Sequence, residues 1–335
     1  MNNRILQRIV LLAACLALGV VVLGAYVRLS DAGLGCPDWP GCYGHLTVTQ
    51  AEQAADDVSK AYPDRPLVAH KAWKEMIHRY FASTLGLLIV IIAILAWRRR
   101  QKPETHWKLP LFLVALVVFQ GLLGMWTVTL LLKPVVVMMH LLGGMTTLSL
   151  LWWLYMRETR FAHNGVSGST DSLKGVALLG LIIVACQLAL GGWTSANYAA
   201  LACPDFPTCQ TQWWPSTDFR EAFILWRGTG IDYEGGVLDN AARVTIHLMH
   251  RIGAVITLLY IGWLAITALR NRSSSVRITG LAILLILVVQ VTLGITNVVM
   301  ALPLPVAVAH NGVAALLLLS LVTLNHVVRP RERYI

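Results

Sequence analysis

The chain has 335 residues, of which 56% are hydrophobic and 13% charged, with a formal net charge of +10. The charges gather between long apolar runs instead of spreading along the chain, which excludes an ordinary soluble domain. The positive balance follows that segregation and carries no implication of nucleic-acid binding.

A helix needs about 20 mainly apolar residues to cross a bilayer. In chain order, eight runs qualify: 9–29, 73–97, 109–132, 134–156, 174–196, 242–269, 277–302 and 304–328. The first raises the question of a signal peptide, because Leu12-Ala13-Ala14-Cys15 resembles a lipoprotein cleavage site. The apolar stretch before Cys15 is too short for that, and hydrophobicity continues well past it, so a retained helix is expected. The fold class expected is all-α integral membrane, with eight transmembrane helices in two pseudo-symmetric four-helix bundles.

Basic residues orient the spans. The N-terminus and segments 98–108, 157–174, 270–277 and 329–335 hold 16 Lys/Arg against four acids, while the rest of the chain holds 11 against 13. The basic face is expected in the cytoplasm with both termini. The two longest loops, about 30–72 and 197–241, then lie outside.

The chain repeats itself across those loops and the spans beside them. Gly35-Cys36-Pro37-Asp38-Trp39-Pro40-Gly41-Cys42 returns as Ala202-Cys203-Pro204-Asp205-Phe206-Pro207-Thr208-Cys209. Ile77-His78-Arg79 returns as Met249-His250-Arg251, and Gln120, Gly124 and His140 return as Gln290, Gly294 and His310. The offsets are 167, 172 and 170, so the copies keep register apart from loop insertions. The halves divide at 1–160 and 161–335. In an oxidising compartment each Cys-x5-Cys pair, Cys36–Cys42 and Cys203–Cys209, reads as a disulfide, with metal binding as the rival. Cys15 and Cys186 fall within spans and read as packing residues.

Of ten histidines, His45, His70, His106, His163 and His326 lie in loops or near a helix end and read as solvated or interfacial. His78, His140, His250 and His310 lie inside spans, at a shared depth of about 10 Å from the outer surface. Intramembrane ionisable groups are costly and mark function. Two imidazoles facing each other across a four-helix bundle ligate a haem iron from both sides. Interhelical hydrogen bonding is the bland alternative. A di-iron site would need a second Glu-x-x-His, but Glu75-x-x-His78 returns as His247-x-x-His250, and zinc fits the latter spacing poorly. One half thus carries a carboxylate a helical turn from its histidine where the other carries an imidazole. Glu75 reads as a proton acceptor, or as a structural partner of Arg79 or Arg28. Arg79, Arg251 and, more weakly, Arg28 are candidates for haem propionates.

Taken together, the eight spans, Glu75-x-x-His78-Arg79, His140, His250, His310 and the loop cysteines resemble the haem A synthase family over essentially the whole chain, in the subgroup with cysteine pairs in both loops. The resemblance implies an oxidoreductase acting on a CH group. It converts the C8 methyl of haem O to a formyl through hydroxylated intermediates, giving haem A for cytochrome oxidase biogenesis. It implies substrate haem on His78 and His140 with Glu75 catalytic, and a haem b cofactor on His250 and His310. It also implies a bacterial inner membrane, haem sites near the outer face, and haem O synthase and oxidase assembly factors as partners. The electron acceptor is not legible. The alternatives are a quinol-linked di-haem b-type electron carrier, which would place its haems near opposite membrane faces, and a haem chaperone.

Overall fold

The computed structural model describes residues 3–101, 106–159, 161 and 171–329. Lys102, Arg160, Arg331 and Arg333 of the basic set, the acids Glu104 and Glu332, and His163 lie outside the described residues. The elements in chain order are α1 (Asn3–Leu29), α2 (Val48–Gln53), α3 (Ala55–Ala61), α4 (Ala69–Trp97), α5 (Lys108–Thr129), α6 (Pro134–Thr159), α7 (Asp171–Ala196), α8 (Phe219–Ala222), α9 (Asn240–Leu269), α10 (Ser274–Val299) and α11 (Leu304–Val327). Eight of these are long and apolar enough to cross a membrane, which makes this a multi-pass membrane protein. Large apolar side chains such as Leu87, Val118, Leu259, Ile278 and Leu285 point outward and are more than half exposed, the surface that lipid covers.

Several helices start or stop away from the apolar runs, four of them for identifiable reasons. α1 and α4 begin earlier, at 3 and 69, because a helix continues through polar residues as long as its backbone bonds are made. α5 and α10 stop three residues early. Leu131 and Leu132 sit at φ 50° and 59°, and Ala301 and Leu302 at 54° and 62°. These left-handed pairs close the helix ends, with Leu132 N–H donating to Thr127 O at 2.8 Å and Leu302 N–H to Asn297 O at 2.7 Å. Pro134 and Pro305 then open α6 and α11 at positions where a missing N–H costs nothing.

The neighbour relations recur between halves. α1 packs on α4 and α6, and α5 on α4 and α6; correspondingly α7 packs on α9 and α11, and α10 on α9 and α11. The halves meet through α1 with α11, α6 with α7 and α6 with α11. Arg28 Nη2 donates to the Ser195 carbonyl at 2.7 Å, and Ser195 is its own repeat counterpart, 167 residues on. Contact between counterparts is consistent with two like halves facing each other. The main core, from Leu6, Val10, Ile89, Leu148 and Leu151 to Ile261, Ile283 and Leu321, fills the end of the bundle near the termini. Space near the opposite end, which carries the two long loops, is left to the histidines.

The loops repeat in atomic detail. Each closes a disulfide, Cys36–Cys42 and Cys203–Cys209, with Cα atoms 4.8 and 4.6 Å apart. Asp38 accepts from the N–H groups of Tyr43 and Gly44 at 2.6 and 2.8 Å, and Asp205 from those of Gln210 and Thr211 at 2.6 and 3.0 Å. These bonds and that from the Thr208 hydroxyl hold the Asp205 carboxyl below its usual pKa, the hydroxyl contributing most.

Beyond these rings the loops differ. Residues 226–236 cross from the second half onto the first. Lys133, 2% exposed, donates to Gly228 O and lies 3.3 Å from the Trp226 ring centroid, and its burial lowers its pKa. Tyr233 N–H donates to Leu131 O at 3.1 Å, and its ring is buried among Leu34, Val128 and Leu132. Arg65 of the first loop pairs with Asp232 and Glu234.

Two outcomes are expected. Replacing Cys36 and Cys42 together by Ser should cost about 2 kcal/mol, the loop entropy of so short a ring, read as a lower thermal midpoint; an unchanged midpoint would mean the ring is not formed. Tyr233→Ala should cost about 3 kcal/mol, as for a buried aromatic, and should speed proteolysis within 226–236, which limited digestion and mass analysis would detect.

Candidate functional site

Each of the four intramembrane histidines meets a glycine on a neighbouring helix. A Cβ on Gly24 of α1 would stand 3.0 Å from His78 Cε1 of α4, and one on Gly124 of α5 would stand 3.4 Å from His140 Cε1 of α6. In the second half, Gly191 of α7 faces His250 of α9 at 3.2 Å, and Gly294 of α10 faces His310 of α11 at 3.1 Å. A Cβ would crowd the ring at Gly24, Gly191 and Gly294 and just touch it at Gly124, so the backbone itself forms one wall of each imidazole's slot. The Gly124–Gly294 match was legible in the repeat. The other two were missed, although Gly24 and Gly191 share the 167 offset of the loop cysteines.

The rings pair within halves: His78 and His140 lie close enough for their charges to interact, as do His250 and His310. The Nδ1 atoms of His78, His140 and His310 are buried without a hydrogen-bond partner. His250 Nδ1 has the Gln187 amide at 3.1 Å, and His310 Nε2 has the Gln290 amide at 3.3 Å. Buried nitrogens left unsatisfied are costly and call for a ligand. Among the described residues no three His, Cys, Asp or Glu side chains gather to hold a bare metal ion. A donor set of two imidazoles fits a metal that already has four equatorial ligands, and glycine-walled slots in apolar surroundings fit a flat macrocycle. The residues present therefore fit haem in both halves.

One turn from each of His78 and His250, an equivalent side chain ties helix to loop. Glu75, 5% exposed, accepts from the Cys36 N–H at 2.9 Å through Oε2 and from Arg79 Nη2 at 2.6 Å through Oε1. His247, equally buried, has the Cys203 N–H 3.3 Å from Nδ1 and Arg251 Nε 3.3 Å from Nε2. Arg79 also donates to the carbonyls of Asp38, Pro40 and Gly41, and Arg251 to those of Thr208 at 2.7 Å and Cys203 at 2.8 Å. Arg79 thus gives Nη1 to its disulfide ring and Nη2 to Glu75, and Arg251 gives both Nη atoms to its ring; the Glu75–Arg79 pair weighed from sequence is formed. Arg28 lies elsewhere, between the halves, 4.2 Å over the Tyr198 ring with its Nε buried and unpartnered. Close approach of loop to helix requires Gly35, where a Cβ would stand 2.6 Å from the Lys71 backbone. Sequence patterning had no signal for these loop-to-helix ties, which join residues about 40 positions apart.

The chain is similar to known proteins along most of its length. The chain is 49% identical over 310 residues to a protein of Shewanella oneidensis named Heme A synthase, covering 92% of each chain. It is 28% identical over 337 residues to a Heme A synthase of Methylobacterium radiotolerans, covering 93% of this chain and 86% of that one, and 25% identical over 292 residues to that of Shouchella clausii, covering 85% and 83%. The family model described as Cytochrome oxidase assembly protein matches residues 7–322, nearly the whole of the eight-helix unit. The chain belongs to the cytochrome oxidase assembly protein family.

Proposed function

We propose that this protein is a haem A synthase that oxidises the C8 methyl of haem O to a formyl, supplying haem A for oxidase assembly. The observation that carries the reading is the pair of glycine-walled, two-imidazole sites, one per half, of which only one has a carboxylate beside it. Residues 1–160 hold the substrate, with His78 and His140 on the iron. Residues 161–335 hold haem b on His250 and His310. When bound, the haem supplies the redox chemistry.

The chain's own residues orient and handle protons. Glycine walls on α1 and α5 fix the planes of the His78 and His140 rings. Glu75 is held by Arg79 and by the Cys36 N–H, so its carboxylate stays in place and serves as proton acceptor for the methyl oxidation. The first disulfide ring closes over it from the loop side. The membrane is the bacterial inner membrane, with both termini cytoplasmic and the sites near the outer face, in line with the basic-residue bias. Haem O synthase and oxidase assembly factors are the expected partners.

Extraction and mass analysis of haems from purified protein tests the reading: hydroxylated or formylated haem is expected, and haem b alone would favour an electron carrier. His250→Ala or His310→Ala should deplete haem b and its low-spin spectrum, and Gly294→Leu should do the same without removing a ligand. Full haem b in these variants would end the ligand assignment. Glu75→Gln should keep both haems bound, accumulate haem O and lower turnover by about 10²–10⁴-fold, the usual contribution of a general base; near-normal haem A output would remove Glu75 from the chemistry.

A further inference from the structure

The two halves differ by one charge at an otherwise matched position. Glu75 offers two oxygens to two donors, Arg79 Nη2 and the Cys36 N–H, and its negative charge balances the guanidinium 2.6 Å away. His247 meets the same two donors, Arg251 Nε–H and the Cys203 N–H, each at 3.3 Å. A neutral imidazole has one acceptor nitrogen and one N–H, so it satisfies one of these donors and not both. In neither protonation state can it supply a negative charge opposite Arg251. The Asp205 carboxylate does act on Arg251 across the loop. Its counterpart Asp38 caps the first loop in the same way, so the halves still differ by one carboxylate. Arg251 is fixed by the Thr208 and Cys203 carbonyls, and its charge reaches His250.

The geometry points to His247 as a positioning residue that leaves the second-half site one unit more positive than the first, and so holds a haem on His250 and His310 at the higher midpoint potential. The inference rests on the reading that these two histidines ligate haem. An uncompensated cation favours the reduced, less positive haem, and in a buried site solvent screens that field little. The halves are thereby made unequal in affinity for electrons by a substitution that touches neither iron ligands nor slots.

Redox titration of purified holoprotein, followed through its low-spin absorption, tests this. His247→Glu should keep haem b and the six-coordinate spectrum, shift its midpoint to lower potential, and leave the thermal midpoint at or above wild type because both donors gain acceptors. Arg251→Gln should shift the midpoint the same way, and His247→Gln, which adds no charge, should leave it near wild type. A fully loaded His247→Glu or Arg251→Gln protein with an unchanged or raised midpoint overturns the inference. So does an equal shift in His247→Gln, and so does loss of haem from both charge variants while His247→Gln stays loaded, since the charge would then govern haem retention and not its potential. Failure of the underlying reading looks different: wild-type protein without low-spin haem, or His250→Ala retaining it.

Discussion

Placing an imidazole inside a hydrocarbon layer demands that its polar nitrogens be answered by something other than water, and that demand organises this molecule. Four such rings are lodged in slots whose walls are glycine backbone, because only a missing side chain lets two helices approach a ring that closely. The main apolar core packs the other end of the bundle, leaving the loop end to the histidines and their glycine walls. A planar macrocycle with a metal at its centre would answer that demand through the imidazole nitrogens.

Holding the rings is the work of helices, while covering them is the work of loops. Each disulfide ring is docked onto the helix that carries a histidine by one arginine and one acceptor side chain, and the arginine reaches the ring through backbone carbonyls. Side-chain donors from the membrane segments thus satisfy loop backbone that would otherwise be buried without partners. Substituting the acceptor changes the charge of the site while leaving the docking recognisable, which is how one duplicated framework comes to house two environments.

Most of the architecture was legible because bilayer crossing imposes a coarse signal: eight apolar runs gave eight helices, and the repeated histidines fell into one pair per half. Helix ends were misjudged where Leu131 and Leu132, or Ala301 and Leu302, adopt left-handed backbone, since apolar residues at such positions look like more helix. Gly24 and Gly191 passed unnoticed because a glycine in a membrane span has many uses, and only its neighbour tells which. The tie from Glu75 to Cys36 and the burial of Lys133 depend on contacts between distant segments, which neither periodicity nor spacing encodes. Arg79 could be placed near the site by its position after His78, but its engagement with three loop carbonyls could not.

The crossing of residues 226–236 onto the first half bears on the order in which the protein is made. Synthesis runs from the N-terminus, so α1 to α6 are complete while the segment that covers Lys133 and inserts Tyr233 is still to be translated. During that interval the turn between α5 and α6 has a lysine facing water and an apolar notch at Leu34, Val128 and Leu132 standing open. The first half therefore emerges unfinished, open at its loop end until residues 226–236 have been translated. The loop that closes this end of the first half is thus laid down with the second half.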